Sequence, residues 1–248
     1  MGLRYHPHME LRRWHDPQDY VFTQHLSAAQ WAWEFLRRNP IYQAEWSAFD
    51  AVWRELEAEY GSPPNRDFCA WKLDSRAWVN AVDCPEGDCR VDRDKVLIEC
   101  ALGARWGFYK FPPSPADDDP VGEGRLTWRM VELEAPILGP DDVAWLGGDA
   151  ARVAIGFDLS LPLRDQIERA KRLLQLVQRQ RRRSGDVPAL SIVAQRERLC
   201  TSLRLLDAGV AGAPEADLMA ISGDWRGLLE QACAMRDVGY RQLTAWPD

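Results

Sequence analysis

The chain has 248 residues and is acidic, with 31 Lys and Arg against 38 Asp and Glu, a formal net charge of −7, and 46% hydrophobic residues. That is enough apolar material for one large domain or two small ones, and it excludes a wholly disordered chain. No apolar run approaches a membrane span, and the opening MGLRYHPHMELRRW has no signal-peptide core, so a cytoplasmic protein with no membrane partner is expected.

The first predicted helix opens at Ser27 and runs through WAWEFLRRN to the residue before Pro40. Ser27 and Gln30 have the spacing of a capping box, in which each side chain satisfies the other's early backbone N–H. A second helix follows, with Tyr42, Trp46, Phe49, Trp53, Leu56 and Tyr60 stepping by 4, 3, 4, 3 and 4. This stripe has helical period and reads as core or as a helix–helix seam. Gly61 and Pro63-Pro64 end it. A short helix is predicted over Phe68–Val79. Val96–Leu102 and Trp106–Phe111 then read as strands, with further strands at Leu126–Leu133 and Arg152–Leu159, being rich in β-branched and aromatic residues. Between them, Pro112–Gly124 reads as a polar, solvated loop carrying Asp117, Asp118 and Asp119.

The last third reads as helical. Ser160 and Pro162 open a helix with an expected buried stripe of Leu163, Ile167, Ala170, Leu174 and Val177, Pro being favoured in a first turn. A helix over Ala189–Ala208 follows. Leu205 to Ala220 then reads as two helices joined at Ala211-Gly212-Ala213-Pro214, a helix-turn-helix pattern that any helical hairpin can share. A helix over Trp225–Val238 completes the set. The expected fold class is therefore α+β: N-terminal helices with a small, mostly antiparallel sheet, then an all-helical, helix-turn-helix-like region.

Charge is unevenly placed. Residues 1–158 carry 17 basic and 27 acidic residues, and residues 159–248 carry 14 and 11, nets of −10 and +3 that sum to −7. The stretch Pro162–Arg183 alone holds eight basic residues against Asp165 and Glu168. Such a block is where a polyanion would bind, because phosphate contacts supply most nucleic-acid affinity. The alternative is an ordinary solvated face.

Catalytic constellations are missing: there is no Gly-rich phosphate loop, GxSxG or HExxH. The protein is expected not to be an enzyme and to need no cofactor. All four His precede residue 26, and Cys84 and Cys89 lack a second close pair, which argues against a zinc site and for reduced thiols.

Two groups of segments resemble one family. Leu26–Tyr42, with its Trp-x-Trp-Glu-Phe-Leu-Arg-Arg-Asn-Pro run, resembles the opening domain of proteobacterial transcription regulators encoded on integrative elements and beside secretion loci. Phe157–Arg164, Leu205-Leu206-Asp207 with Ala211-Gly212-Ala213, and Gly239–Leu243 look like the DNA-binding domain of the same regulators. The nearest type is the RovC-like activators of type VI secretion genes. The resemblance implies a transcription activator that binds double-stranded promoter DNA as a homo-oligomer, hexameric in that type. RNA polymerase or another regulator is a further possible partner.

The expected division is a regulatory and oligomerisation domain over residues 1–156 and a DNA-binding domain over residues 157–248. Arg179, Arg181, Arg182 and Arg183 are the expected phosphate contacts, with Arg196 and Arg198 extending that surface. Arg226, Gln231, Arg236, Arg241 and Gln242 are candidates for base or groove contacts, since Arg and Gln pair bidentately with guanine and adenine edges. The family resemblance implies a more basic segment after the turn than Asp224–Gln231. That difference keeps open an alternative, a protein-binding partner or antiactivator with no DNA binding of its own.

Overall fold

The computed structural model describes residues 13–87, 89–109, 111–118, 126–131, 150–188 and 190–248. The fold class is α+β. The chain forms two compact units, Met1–Val131 with Gln195–Asp248, and Glu132–Ala194. The boundary expected at residue 156 falls inside the second unit, because the C-terminal helices share a core with the N-terminal ones.

In the first unit, α1 (Ala28–Leu36) carries the expected capping box between Ser27 and Gln30. α2 (Pro40–Tyr60) begins where Asn39 accepts from the N–H groups of Ile41 and Tyr42, with Pro40 at its first position, and ends at Gly61 with φ of 84°. A left-handed φ at a helix end is where glycine carries no Cβ penalty. The aromatic stripe of α2 is core, though Tyr42 and Leu56 are fully buried while Trp46, Phe49 and Trp53 are only partly so. Trp53 meets Trp71 and Phe111 edge-on, at 4.9 and 5.2 Å between ring centroids.

The segment after α2 departs from expectation. The helix predicted over residues 68–79 is only α3 (Phe68–Trp71), followed by a 3-10 turn at Ser75–Ala77 and strand β1 (Trp78–Asn80). Strands β2 (Arg90–Asp92) and β3 (Lys95–Leu97) complete a three-stranded antiparallel sheet in the order β1-β3-β2. The predicted strand at 96–102 is therefore strand only to Leu97, and α4 (Ile98–Trp106) takes over. A short apolar run has no period that separates strand from buried helix. Of residues 106–111, Lys110 lies outside the described residues, and among the others Phe108 makes an isolated bridge to Trp128. Of the strand predicted at 126–133, residues 132 and 133 lie outside the described residues, and Arg152–Leu159 is not strand. Cys89 and Cys100 form a disulfide at a Cα–Cα distance of 5.9 Å, within the usual range, where reduced thiols were expected. The short β2–β3 connection folds α4 back over the residue preceding β2, which brings the two together.

The Pro112–Asp118 stretch is not simply a solvated loop. Its carbonyls accept from α1 and α2: Pro112 from Trp46, Pro113 from Tyr42, Pro115 from Arg37 and Asp117 from Trp33. Asp119 lies outside the described residues.

α4 ends at Gly107, with φ of 89°, where a Cβ would lie 2.3 Å from the Nε of Arg241. Only glycine meets both demands. The C-terminal helices α6 (Ile192–Val210), α7 (Glu215–Ile221), α8 (Trp225–Ala234) and α9 (Tyr240–Leu243) follow, with a π-turn at Met235–Gly239 interrupting the helix predicted over 225–238. α9 packs against α1.

The second unit contains α5 (Leu163–Ser184). None of its residues is fully buried, and of the stripe expected to form its core side Ala170 and Val177 are half-buried beside Val153, Phe157 and Val187. Ser160 does not cap it; its hydroxyl donates to Asp158 instead.

Trp71 is wholly buried among Leu56, Ala77 and Leu97. Trp71→Ala should cost ~3–5 kcal/mol, the usual range for deleting a core aromatic, read as a fall in the urea midpoint with an unchanged slope. A loss below ~1 kcal/mol would mean that this layer is not part of the cooperative core.

Candidate nucleic-acid interface

Three helices, α6, α7 and α8, close around a small core of Leu205, Ala208 and Leu218, flanked by Ala213, Ile221, Trp225, Leu228 and Leu229. The fourth buried member is Trp14, from the other end of the chain. α7 and α8 are separated by Ser222-Gly223-Asp224, a connection of the length found between paired helices of helix-turn-helix modules. The turn read from sequence at residues 211–214 lies one element earlier. There Gly212 has φ of 69° and Pro214 caps α7.

A buried charge network fastens this module to α1. The Arg38 guanidinium meets Asp207 of α6 through two bonds, Nε to Oδ1 at 2.7 Å and Nη2 to Oδ2 at 2.9 Å. Its Nη1 donates to the Glu34 carboxylate at 2.5 Å and to the Glu34 carbonyl at 2.7 Å. Tyr20 donates to Asp207 at 2.6 Å. Arg37 donates to the second Glu34 oxygen at 3.2 Å and to Asp118 at 2.7 Å. Burial alone would lower the Arg38 pKa. Asp207 and Glu34, by charge and by hydrogen bond, more than reverse this and raise it above the ordinary guanidinium value. Planar bidentate pairing suits Arg and not Lys.

Arg37, Arg38 and Asp207 all lie in the segments that resemble the family, but their distance in sequence hides their pairing. The available signal was Asp207 itself, an acid set between Leu206 and Ala208 on an otherwise apolar helix face. A buried acid on such a face needs a partner.

The predicted contact residues are dispersed. On α5, Arg182 and Arg183 are exposed, as is Arg179, whose Nε donates to the carbonyl of Gln175. Arg181 is turned inward within its unit, donating to the carbonyls of Ala150 and Arg152 at 2.6 and 3.0 Å. On α6, Arg196 is partly buried, and Arg198 donates to Gln231 of α8. Arg226 pairs with Glu215 at 2.6 Å and Arg236 with Asp237 at 2.7 Å. Arg241 lies over Gly107 and donates to the Ala104 carbonyl at 3.4 Å. Gln242 is exposed. Tyr240 beside it is buried, which pushes its pKa up to about 12, and it donates to the Trp106 carbonyl. Of the residues expected to touch bases, Arg226, Gln231, Arg236 and Arg241 each have a polar partner within the chain, and Gln242 is exposed. The exposed charge that remains together is on α5.

Residues 13–67 match the family model of the proteobacterial transcriptional regulator-like domain. That segment supplies Trp14, Tyr20 and Arg38, which meet α6 and its core, and Glu34 and Arg37, which complete the charge network. The match supports a role in transcription regulation. No curated protein and no solved structure matches the chain. Among the described residues, no helix is long and apolar enough to cross a membrane.

Breaking the network at one member should be costly. Asp207→Ala strands the Arg38 charge and should lose ~3–5 kcal/mol by urea unfolding. Arg226→Ala, which breaks an exposed pair, should lose no more than ~1 kcal/mol. Equal losses for the two would show that the buried network carries no special weight.

Proposed function

We propose that the chain is a DNA-binding transcription activator that works as a homo-oligomer in the cytoplasm and has no catalytic activity. The observation that carries this reading is α5. Its 22 residues hold eight basic side chains against two acids, none of its residues is buried, and Arg179, Arg182 and Arg183 face solvent. A fixed row of guanidinium groups on a helix is suited to phosphate contact, and it would supply affinity without reading sequence. The α7–α8 pair adds a candidate for groove insertion. The regulator-like segment at residues 13–67 adds the link to transcription. The resemblance to RovC-like activators points to type VI secretion or mobile-element genes as targets, with RNA polymerase or another regulator as an additional partner.

One observation favours a second reading, a protein-binding antiactivator. On α8 the side chains that would read bases are already paired, Arg226 with Glu215 and Gln231 with Arg198. The two readings differ in salt dependence. Replacing Arg179, Arg182 and Arg183 with Ala should weaken binding to any duplex and flatten the plot of log affinity against log salt by roughly 2–3 units, about 0.9 per lost phosphate contact. Fluorescence anisotropy at several salt concentrations reads both. A wild-type chain with no affinity for duplex DNA at low salt would leave the antiactivator reading.

A further inference from the structure

We propose that the Cys89–Cys100 pair is a redox site, opened by a small thiol and closed again by its disulfide, and that its state sets how firmly α4 holds α9. The bond joins two cysteines 11 residues apart at the start of α4. Both lie in one apolar cluster with Ala81, Val96 and a third cysteine, Cys84. Cys84 is a free thiol, half-buried, and its Sγ donates to the carbonyl of Ala101 at 3.9 Å, one residue beyond Cys100. Gly87, in the loop between Cys84 and Cys89, lies so close to Val96 and to the Cys84 sulfur that no Cβ would fit there. The loop therefore holds the third sulfur against the cluster that contains the bond.

These positions differ from those of a structural staple. Cys100 is wholly buried but Cys89 is only half-buried, so a small thiol has one sulfur of the bond within reach. A free thiol packed in the same cluster is an internal exchange partner, which makes the bond labile. In a cytoplasm, small thiols keep most cysteines reduced, and the disulfides that do form are usually catalytic or redox-sensing. The redox site rests on the cytoplasmic part of the proposed function.

A thiol and its disulfide are the only co-reactants needed. A small thiolate attacks the Cys89 sulfur. A mixed disulfide forms, the Cys89–Cys100 bond breaks, and Cys100 leaves as a thiolate that takes up a proton. A second small thiolate attacks the outer sulfur of the mixed disulfide, and Cys89 leaves and is protonated. The sum turns one protein disulfide and two small thiols into two protein thiols and one small disulfide. Closing is the reverse.

The consequence travels along α4. At its first turn the bond ties α4 to the residue before β2, and no side chain caps that end. At its last turn the carbonyls of Ala104 and Trp106 accept from Arg241 and Tyr240 at 3.4 and 3.1 Å. Nine residues separate the ends, roughly 13 Å at 1.5 Å per residue, short enough for α4 to move as one piece. With the bond open, the first turn is held only by β3 and by packing, and the contacts with α9 open more often.

The test uses the full chain in native buffer, with reduced and oxidised glutathione as the small thiol and disulfide. Peptide mass spectrometry after alkylation reads the fraction of chains that carry the Cys89–Cys100 bond. The bond should open under excess reduced glutathione without denaturant and form again under oxidised glutathione. Hydrogen exchange on the same samples should show the amides of α4 and of Tyr240–Leu243 exchanging at least ten-fold faster in the open state. Cys89→Ser should exchange at the faster rate in both buffers. A bond that opens only in denaturant overturns the proposal, and so does an opened bond that leaves α9 protection unchanged. Fluorescence anisotropy with duplex DNA separates the two readings. A chain that binds duplex while its bond resists glutathione loses the redox site and keeps the DNA-binding reading. A chain whose bond and α9 respond, but that has no affinity for duplex at low salt, keeps the redox site and loses the DNA-binding reading.

Discussion

The Arg38 guanidinium, held between Asp207 and Glu34, is the contact on which the larger unit depends. Removing a charge from water costs several kcal/mol, and only good geometry with every donor used offsets it. Here the Nε, Nη1 and Nη2 groups all donate, Arg37 donates to the Glu34 oxygen that Arg38 leaves over, and Tyr20 adds a second bond to Asp207 Oδ2. Such a network adds little net stability compared with an apolar replacement, but it tolerates very few arrangements. It sets α1 against α6 in one position. Trp14 can then enter the core of α6, α7 and α8, and Asn39 can reach the Arg236 carbonyl beyond α8. The regulator-like segment is therefore not a module tethered to a separate helical one. Within this unit the two ends of the chain are parts of one core.

How much of this could be read from sequence depended on whether the signal was local. The start of α1 and the end of α2 were legible because capping is chemistry within three or four residues: Ser27 with Gln30, and Gly61 after Tyr60. The sheet was legible as a class but not by residue. Strands of three residues are too short to show alternation, and Ile98–Trp106 lacks any period that marks helix. The fates of Arg236 and Arg241 were hidden because their partners are non-periodic or far away in sequence. A basic side chain looks the same whether it faces phosphate or the Ala104 carbonyl. For α5 the amphipathic period was legible, and its stripe is partly covered by Val153, Phe157 and Val187 of the same unit.

These placements divide the work of the C-terminal third differently from the sequence reading. On α6 to α9, Arg226, Gln231, Arg236 and Arg241 each have a polar partner within the chain, while Gln242 is exposed. α5 differs, with a charged side turned outward and an apolar side only partly covered. In the proposed function it supplies sequence-independent affinity. Sequence preference would then come from the α7–α8 pair.

The claim that the buried network makes α1 and α6 one cooperative body is tested most directly by native-state hydrogen exchange on the wild type and Asp207→Asn. The account predicts that the slowest amides of both helices lose protection in the variant by the same free energy, because they open together. Loss of protection confined to α6, with α1 unchanged, would contradict it.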